Sequence, residues 1–155
     1  MPGALVSSLR QDMDLKCFLE TDQPSLVKQP LVLAVDDDED NLLLITQVLS
    51  LSNYSFITAT NGLMALSMAE ERLPDLILLD VMLPDLDGAE LVRCLRQNPH
   101  TEKIPVIAVT AMARTEDRDR LLAAGCSDYI SKPYMVDDLE ELIRHYLYSP
   151  PPPAF

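Results

Sequence analysis

Short apolar runs alternate along this chain with longer stretches in which apolar residues recur every three or four positions. The runs are LVLAV (31–35), SFITAT (55–60), LILLD (76–80), VIAVT (106–110) and DYISK (128–132). Apolar runs this short, with no polar face of their own, suit strands covered on both sides and predict a parallel sheet. The stretches between them predict helices over about 40–52, 62–72, 88–98, 115–124 and 136–147. In the first, Leu42, Leu43, Leu44 and Ile45 cannot all face a sheet, and Leu43 or Leu44 is the position expected outside. In GAELVRCLRQN, Leu91, Val92 and Leu95 share one side while Glu90, Arg93 and Arg96 turn outward. The last helix groups Leu139, Leu142, Ile143 and Tyr146, with Asp137 and Asp138 in its first turn, where the helix dipole favours acids. Pro84, Pro105 and Pro133 fall at element boundaries, as their missing N–H demands. Five strands alternating with five helices predict an open α/β sheet with helices on both faces.

This pattern occupies residues 30–148. Residues 1–29 lack a sustained period and are expected to form a flexible or loosely packed extension, and 149–155 a short extended Pro-rich tail. The length of 155 residues fits one domain. Twelve Lys and Arg against 25 Asp and Glu give a formal charge of -13, a field that disfavours direct binding to nucleic acid or anionic membrane. Cys17, Cys94 and Cys126 form neither a disulfide framework nor a zinc pattern and are expected as free thiols. No apolar run suits a signal peptide or a membrane span, so the expected location is the cytoplasm.

In open α/β sheets ligands bind beyond the carboxyl ends of the strands. The first run ends in Asp36 and Asp37, the third in Asp80, the fourth in Thr110 and the fifth in Lys132. A solvated strand terminus explains any one of these residues, but not the set. Carboxylates converging on one point repel each other and call for a cation, and an all-oxygen site suits Mg²⁺. A cation, a lysine and a hydroxyl beside a carboxylate make an electrostatic clamp for phosphoryl transfer, with aspartate able to act as the nucleophile. The chain has only 4 Gly, with no glycine-rich phosphate loop or dinucleotide fingerprint. His100 and His145 fall away from these strand ends and are expected at the surface.

The segments AVDDDEDN (34–41), LLDVMLPDLDG (78–88), VTA (109–111) and DYISKPY (128–134) resemble the receiver domain of bacterial two-component response regulators. The intervals from Asp36 to Asp80, Thr110 and Lys132 are 44, 30 and 22 residues in turn, which fit that family. The resemblance implies a doubly wound, flavodoxin-like five-stranded sheet of order 2-1-3-4-5. It implies Asp80 as phosphoacceptor, Asp37 as a direct Mg²⁺ ligand, Asp36 holding metal-bound water, and Met82 giving the metal a backbone carbonyl. It further implies Thr110 as the hydroxyl that moves to the phosphoryl group, Lys132 as its ion-pairing lysine, Pro133 after a cis bond, and Tyr129 as the switching aromatic. The implied donor is a histidine kinase or a histidine phosphotransfer protein. Asp38 and Glu39 stand where many relatives have glutamate and proline, which leaves the acidic pair intact.

The chain past the last helix is too short for an effector domain, so the expectation is a stand-alone receiver that signals through contact with a protein target. It would be no classical enzyme, catalysing only its own Mg-dependent phosphorylation and slow dephosphorylation. Met82 and Met112 flank the expected water path and offer no base or donor, which predicts a persistent phosphoryl group. Two other readings share these residues: a receiver-like interaction module that is never phosphorylated, and a metal-dependent phosphatase. The second would want another acid two residues after the nucleophile, where this chain has Met82.

Overall fold

The computed structural model describes residues 29–111 and 114–148; the extension before Gln29 with Cys17, Met112, and the tail from Ser149 lie outside the described residues. The elements, in chain order, are β1 (Leu31–Val35), α1 (Glu39–Leu51), β2 (Ser55–Ala59), α2 (Gly62–Arg72), β3 (Leu76–Asp80), α3 (Gly88–Gln97), β4 (Val106–Thr110), α4 (Thr115–Ala124), β5 (Asp128–Ser131) and α5 (Val136–Tyr148). The five strands are all parallel and ordered β2-β1-β3-β4-β5. This is the doubly wound order 2-1-3-4-5 expected from the resemblance.

The apolar runs are continuous because alternate side chains enter two separate cores. Leu33, Val35, Ile77, Leu79, Val106 and Ala108 meet α2, α3 and α4 on one face. Val32, Ala34, Leu76, Leu78, Ile107 and Val109 meet α1 and α5 on the other. All five residues of β3 and of β4 are buried, whereas the outer strands β2 and β5 are mostly half-buried. Burial on this scale contributes about 25 cal/mol per Å² of apolar surface removed from water.

Helix starts are set by side-chain caps. Asp38, Asn61 and Asp87 each accept a backbone N–H from the first turns of α1, α2 and α3. α1 buries Leu42, Ile45, Val48 and Leu49 and leaves both Leu43 and Leu44 outside. α5 buries Leu139 and Ile143, with Leu142 and Tyr146 packed beside them.

Three details differ from the sequence expectation. β2 ends at Ala59 and β5 at Ser131, so Thr60 and Lys132 lie one residue past their strands. Arg96 does not turn outward. Its guanidinium is part-buried and donates to the Gly125, Glu102 and Ile104 carbonyls at 2.9, 3.0 and 2.7 Å. A helical period places Arg96 on the polar side of α3, but it cannot foresee that loop carbonyls collect there. Gly125 takes φ 117°, a left-handed C-cap for α4 that a side chain would strain, and an added Cβ would meet Arg96 Cγ at 2.7 Å.

The loop from β3 to α3 carries the residues after Asp80, and its fit is tight. A Cβ on Gly88 would sit 2.7 Å from Val81 Cα and 2.8 Å from Val81 Cβ. Neither atom can swing aside as a flexible side-chain end could. Gly88→Ala should therefore destabilise the domain by about 1–3 kcal/mol, the usual cost of overpacking. Chemical denaturation of the purified variant checks this, and an unchanged midpoint would contradict the close approach.

Candidate functional site

The parallel order puts the carboxyl ends of β1, β3, β4 and β5 side by side. Asp36, Asp80 and Thr110 are all buried there, Asp37 is exposed, and Lys132 follows β5 with its N–H bonded to the Thr110 carbonyl at 2.7 Å. Carboxylate oxygens of Asp36, Asp37 and Asp80 all lie within 4.8 Å of one another. Lys132 Nζ stands 3.3 Å from Asp36 Oδ2 and 3.8 Å from Asp80 Oδ2. The Lys132 ammonium thus stands beside two of the three clustered carboxylates. The oxygen-only donor set and the residual negative charge fit a hard divalent cation such as Mg²⁺.

Backbone geometry fixes each acid. Asp36 Oδ1 accepts the Asp38 N–H at 2.9 Å, and Asp80 Oδ1 accepts the Met82 N–H at 3.1 Å. Burial pushes the Asp80 carboxyl up to about 6, and the negative charge of Asp36 adds to the rise. The Met82 N–H and Lys132 oppose it only in part. The Met82 side chain itself is exposed at the mouth. The Lys132–Pro133 bond is cis, as expected. Tyr129 is half-buried and its hydroxyl accepts from Arg118 Nη1 at 3.1 Å. His100 and His145 are both exposed, and of the cysteines Cys94 is exposed and Cys126 buried, each a free thiol.

Two residues of this region carry roles the sequence reading did not assign. Asp85, in the loop after Asp80, accepts the Gly62 and Leu63 N–H groups at 2.8 and 3.0 Å, which holds its carboxyl below the usual range. It ties the site loop to the start of α2. Asp87 caps α3 through Oδ1 and pairs with Arg120 of α4 through Oδ2. The Gly62, Leu63 and Arg120 partners lie more than twenty residues away in sequence, where local patterning is blind.

A cleft of about 450 Å³ opens beside the acids, lined by Asn41, Leu44, Ile45, Ala111, Lys132, Pro133 and Tyr134. The Tyr134 phenol is raised first by burial and then by the charge of Asp36. The exposed side chain of Leu44 thus has a shaped neighbour, while Leu43 stands in open solvent.

An acid cluster with Asp36 and Asp80 buried at the carboxyl end of a 2-1-3-4-5 sheet defines a class, and comparison with known proteins agrees. The family model for the response regulator receiver domain matches residues 32–144, so the chain belongs to that family of phosphoacceptors in two-component signalling. It is 43% identical over 116 residues to the polar-differentiation response regulator DivK of Brucella anthropi, an alignment covering 75% of this chain and 94% of that protein. The Brucella ovis DivK is 42% identical over the same length, with the same coverage of both chains. Among solved structures, the receiver domain of a sensor histidine kinase from Pseudomonas aeruginosa, with magnesium coordinated in its active-site cleft, aligns at TM-score 0.73 and 32% identity, covering 79% of this chain and 100% of that one. The Vibrio cholerae chemotaxis protein CheY4 aligns at TM-score 0.74 and 27% identity, covering 77% and 100%. Among the described residues no helix is long and apolar enough to cross a membrane.

The raised Asp80 carboxyl has a consequence for stability. Between the ordinary 3.8 and about 6 the unfolded chain has released this proton while the folded chain keeps it. Stability therefore falls as pH rises through that window, and the full penalty persists above it. Without divalent cations, Asp80→Asn should stabilise the fold at pH 8 by about 1–3 kcal/mol. The gain should shrink as pH drops from about 6 towards 3.8. Melting curves across pH check both sign and window, and a destabilised variant at pH 8 would contradict the charge balance.

Proposed function

We propose that this protein is a cytoplasmic phosphorelay switch that takes a phosphoryl group on Asp80 from a phosphohistidine partner and signals by protein contact. The observation that supports it most is a buried Asp80 with two carboxylates and the Lys132 ammonium gathered around it. In the transfer, an Asp80 carboxylate oxygen attacks phosphorus as the donor's P–N bond breaks. The bonding pair stays on the imidazole nitrogen, which takes a proton from water. Asp37, Asp80 and the Met82 carbonyl would hold Mg²⁺, with Asp36 supporting its water shell. When bound, the cation supplies charge neutralisation for the equatorial phosphoryl oxygens.

Lys132, with Nζ 3.8 Å from Asp80 Oδ2, supplies a positive charge of its own, and Thr110 offers a hydroxyl to the transferred group. Tyr129 is the aromatic that responds to that move. Water that could hydrolyse the acyl phosphate must approach past Met82, whose thioether neither orients nor deprotonates it, so the phosphorylated state is slow to decay. The companion expectation for Met112 lies outside the described residues. Reversal then depends on a partner, by back-transfer or by a phosphatase.

Incubation with acetyl phosphate and Mg²⁺, read by intact-mass and peptide mass spectrometry, tests the central step. One phosphoryl mass on Asp80, absent from Asp80→Asn, is the expected result. No mass gain in the folded parent would favour the unphosphorylated interaction module, and sustained turnover of phosphomonoesters would favour the phosphatase.

The cleft beside the acids suits an apolar side chain of the donor protein, with Leu44 and Ile45 on one wall and Tyr134 on the other. Leu44→Lys should slow transfer from a phosphohistidine protein about tenfold or more, as loss of a buried interface contact does. Labelling by acetyl phosphate should change by less than about twofold, because a small donor needs no protein docking. Equal slowing of both reactions would contradict a docking role for Leu44.

A further inference from the structure

α4 is attached to the domain in two unlike ways. Of its ten residues only Leu121 and Ala124 are buried, both in the C-terminal half, whereas the equally long α3 buries five. The end of α4 is fixed further by the Gly125 cap and by Arg96 on the Gly125 carbonyl. From Thr115 to Arg120 nothing is buried, and the N-cap Arg114 makes no side-chain capping bond. Two arginines hold this half instead. Arg118 donates to the Tyr129 hydroxyl at 3.1 Å, with its Cζ 5.3 Å from the centre of the same ring. Arg120 pairs with Asp87 Oδ2.

Both anchors lead back to the phosphoacceptor site. Asp87 forms a backbone bridge with Met82, and the Met82 N–H is bonded to Asp80 Oδ1. Tyr129 stands on β5 one residue before Ile130, which pairs with Val109, the neighbour of Thr110. A phosphoryl group on Asp80 changes the oxygen that the Met82 N–H bonds, and it gives Thr110 a new acceptor. The same group therefore disturbs the strand and the loop on which the two arginines depend. Among the described residues, a helix half without buried side chains has little else to resist displacement.

We propose that Arg118 and Arg120 are positioning residues forming a two-point latch that holds the N-terminal half of α4 in the unphosphorylated arrangement. The latch acts through Tyr129 and Asp87 and opposes phosphorylation of Asp80. This rests on the phosphoacceptor reading above. By linkage, contacts that favour the unphosphorylated arrangement must lower the population that accepts the phosphoryl group, and removing them must raise it. Each contact is a surface interaction, so each acts weakly and the pair acts together.

The test compares the parent with Arg118→Met, Arg120→Met, the double variant, and the charge-keeping Arg118→Lys and Arg120→Lys. Acetyl phosphate labelling with saturating Mg²⁺ should run about three- to tenfold faster in the double variant and less so in each single one. Mg²⁺ affinity by calorimetry should stay unchanged, and Arg120→Lys should return close to the parent rate. In the unphosphorylated state, amide exchange at Arg118, Asp119 and Arg120 should rise by a similar factor in the double variant, with the α3 amides unaffected. Unchanged labelling and unchanged exchange in a folded double variant overturn the latch, as does slower labelling. A parent that takes no phosphoryl group overturns the phosphoacceptor reading and the regulatory half of the latch with it. The exchange ratio still decides whether the arginines hold the helix.

Discussion

Repulsion among Asp36, Asp37 and Asp80 is the constraint around which the rest of the molecule is arranged. Their oxygens lie within 4.8 Å of one another and a single ammonium stands close by. Carboxylates so placed would separate if the chain could yield. It cannot yield, because β1 and β3 are hydrogen-bonded neighbours in register and buried on both faces. The apolar strands thus stabilise a charge arrangement that is unfavourable by itself. Burial is the first cause of the upward push on Asp80 and the charge of Asp36 adds to it, and a divalent cation held there would offset both.

Seen from the sheet outward, each loop at this end has a separate fastening. Asp85 ties the loop after β3 to α2, Asp87 ties it to α3 and α4, and Gly88 lets it close against Val81. The result is a rigid acid centre inside a rim of polar contacts, several of them between exposed groups. A firmly held Asp80 carboxyl and an α4 whose first half buries no side chain are the combination the proposed switch needs. Chemistry requires fixed positions, and signalling requires an element whose arrangement can change at low cost.

Much of this was legible in the residue pattern. Strand runs buried on both faces announce themselves by lacking a polar alternate, and the crowding of Leu42 to Ile45 in α1 required an outward residue, a place that Leu43 and Leu44 both take. The acids could be read as a group because the fold class dictates which strand ends meet. Arg96, Asp85 and Asp87 could not be read so. Each is a charged residue in a polar stretch, and its importance depends on carbonyls, N–H groups or an arginine brought near by tertiary folding. Tyr129 illustrates the boundary: its position matched a familiar motif, but its partner Arg118 became visible only once α4 was packed beside β5.

The claim that a frustrated carboxylate cluster organises the site is tested most directly by titrating Mg²⁺ against thermal stability at pH 8. The parent should gain melting temperature saturably, as a ligand bound only by the folded state requires. Asp37→Asn, which removes an exposed carboxylate without disturbing the core, should lose most of that gain while remaining folded. A parent that does not respond to Mg²⁺, or an Asp37→Asn variant that responds equally, would contradict the account.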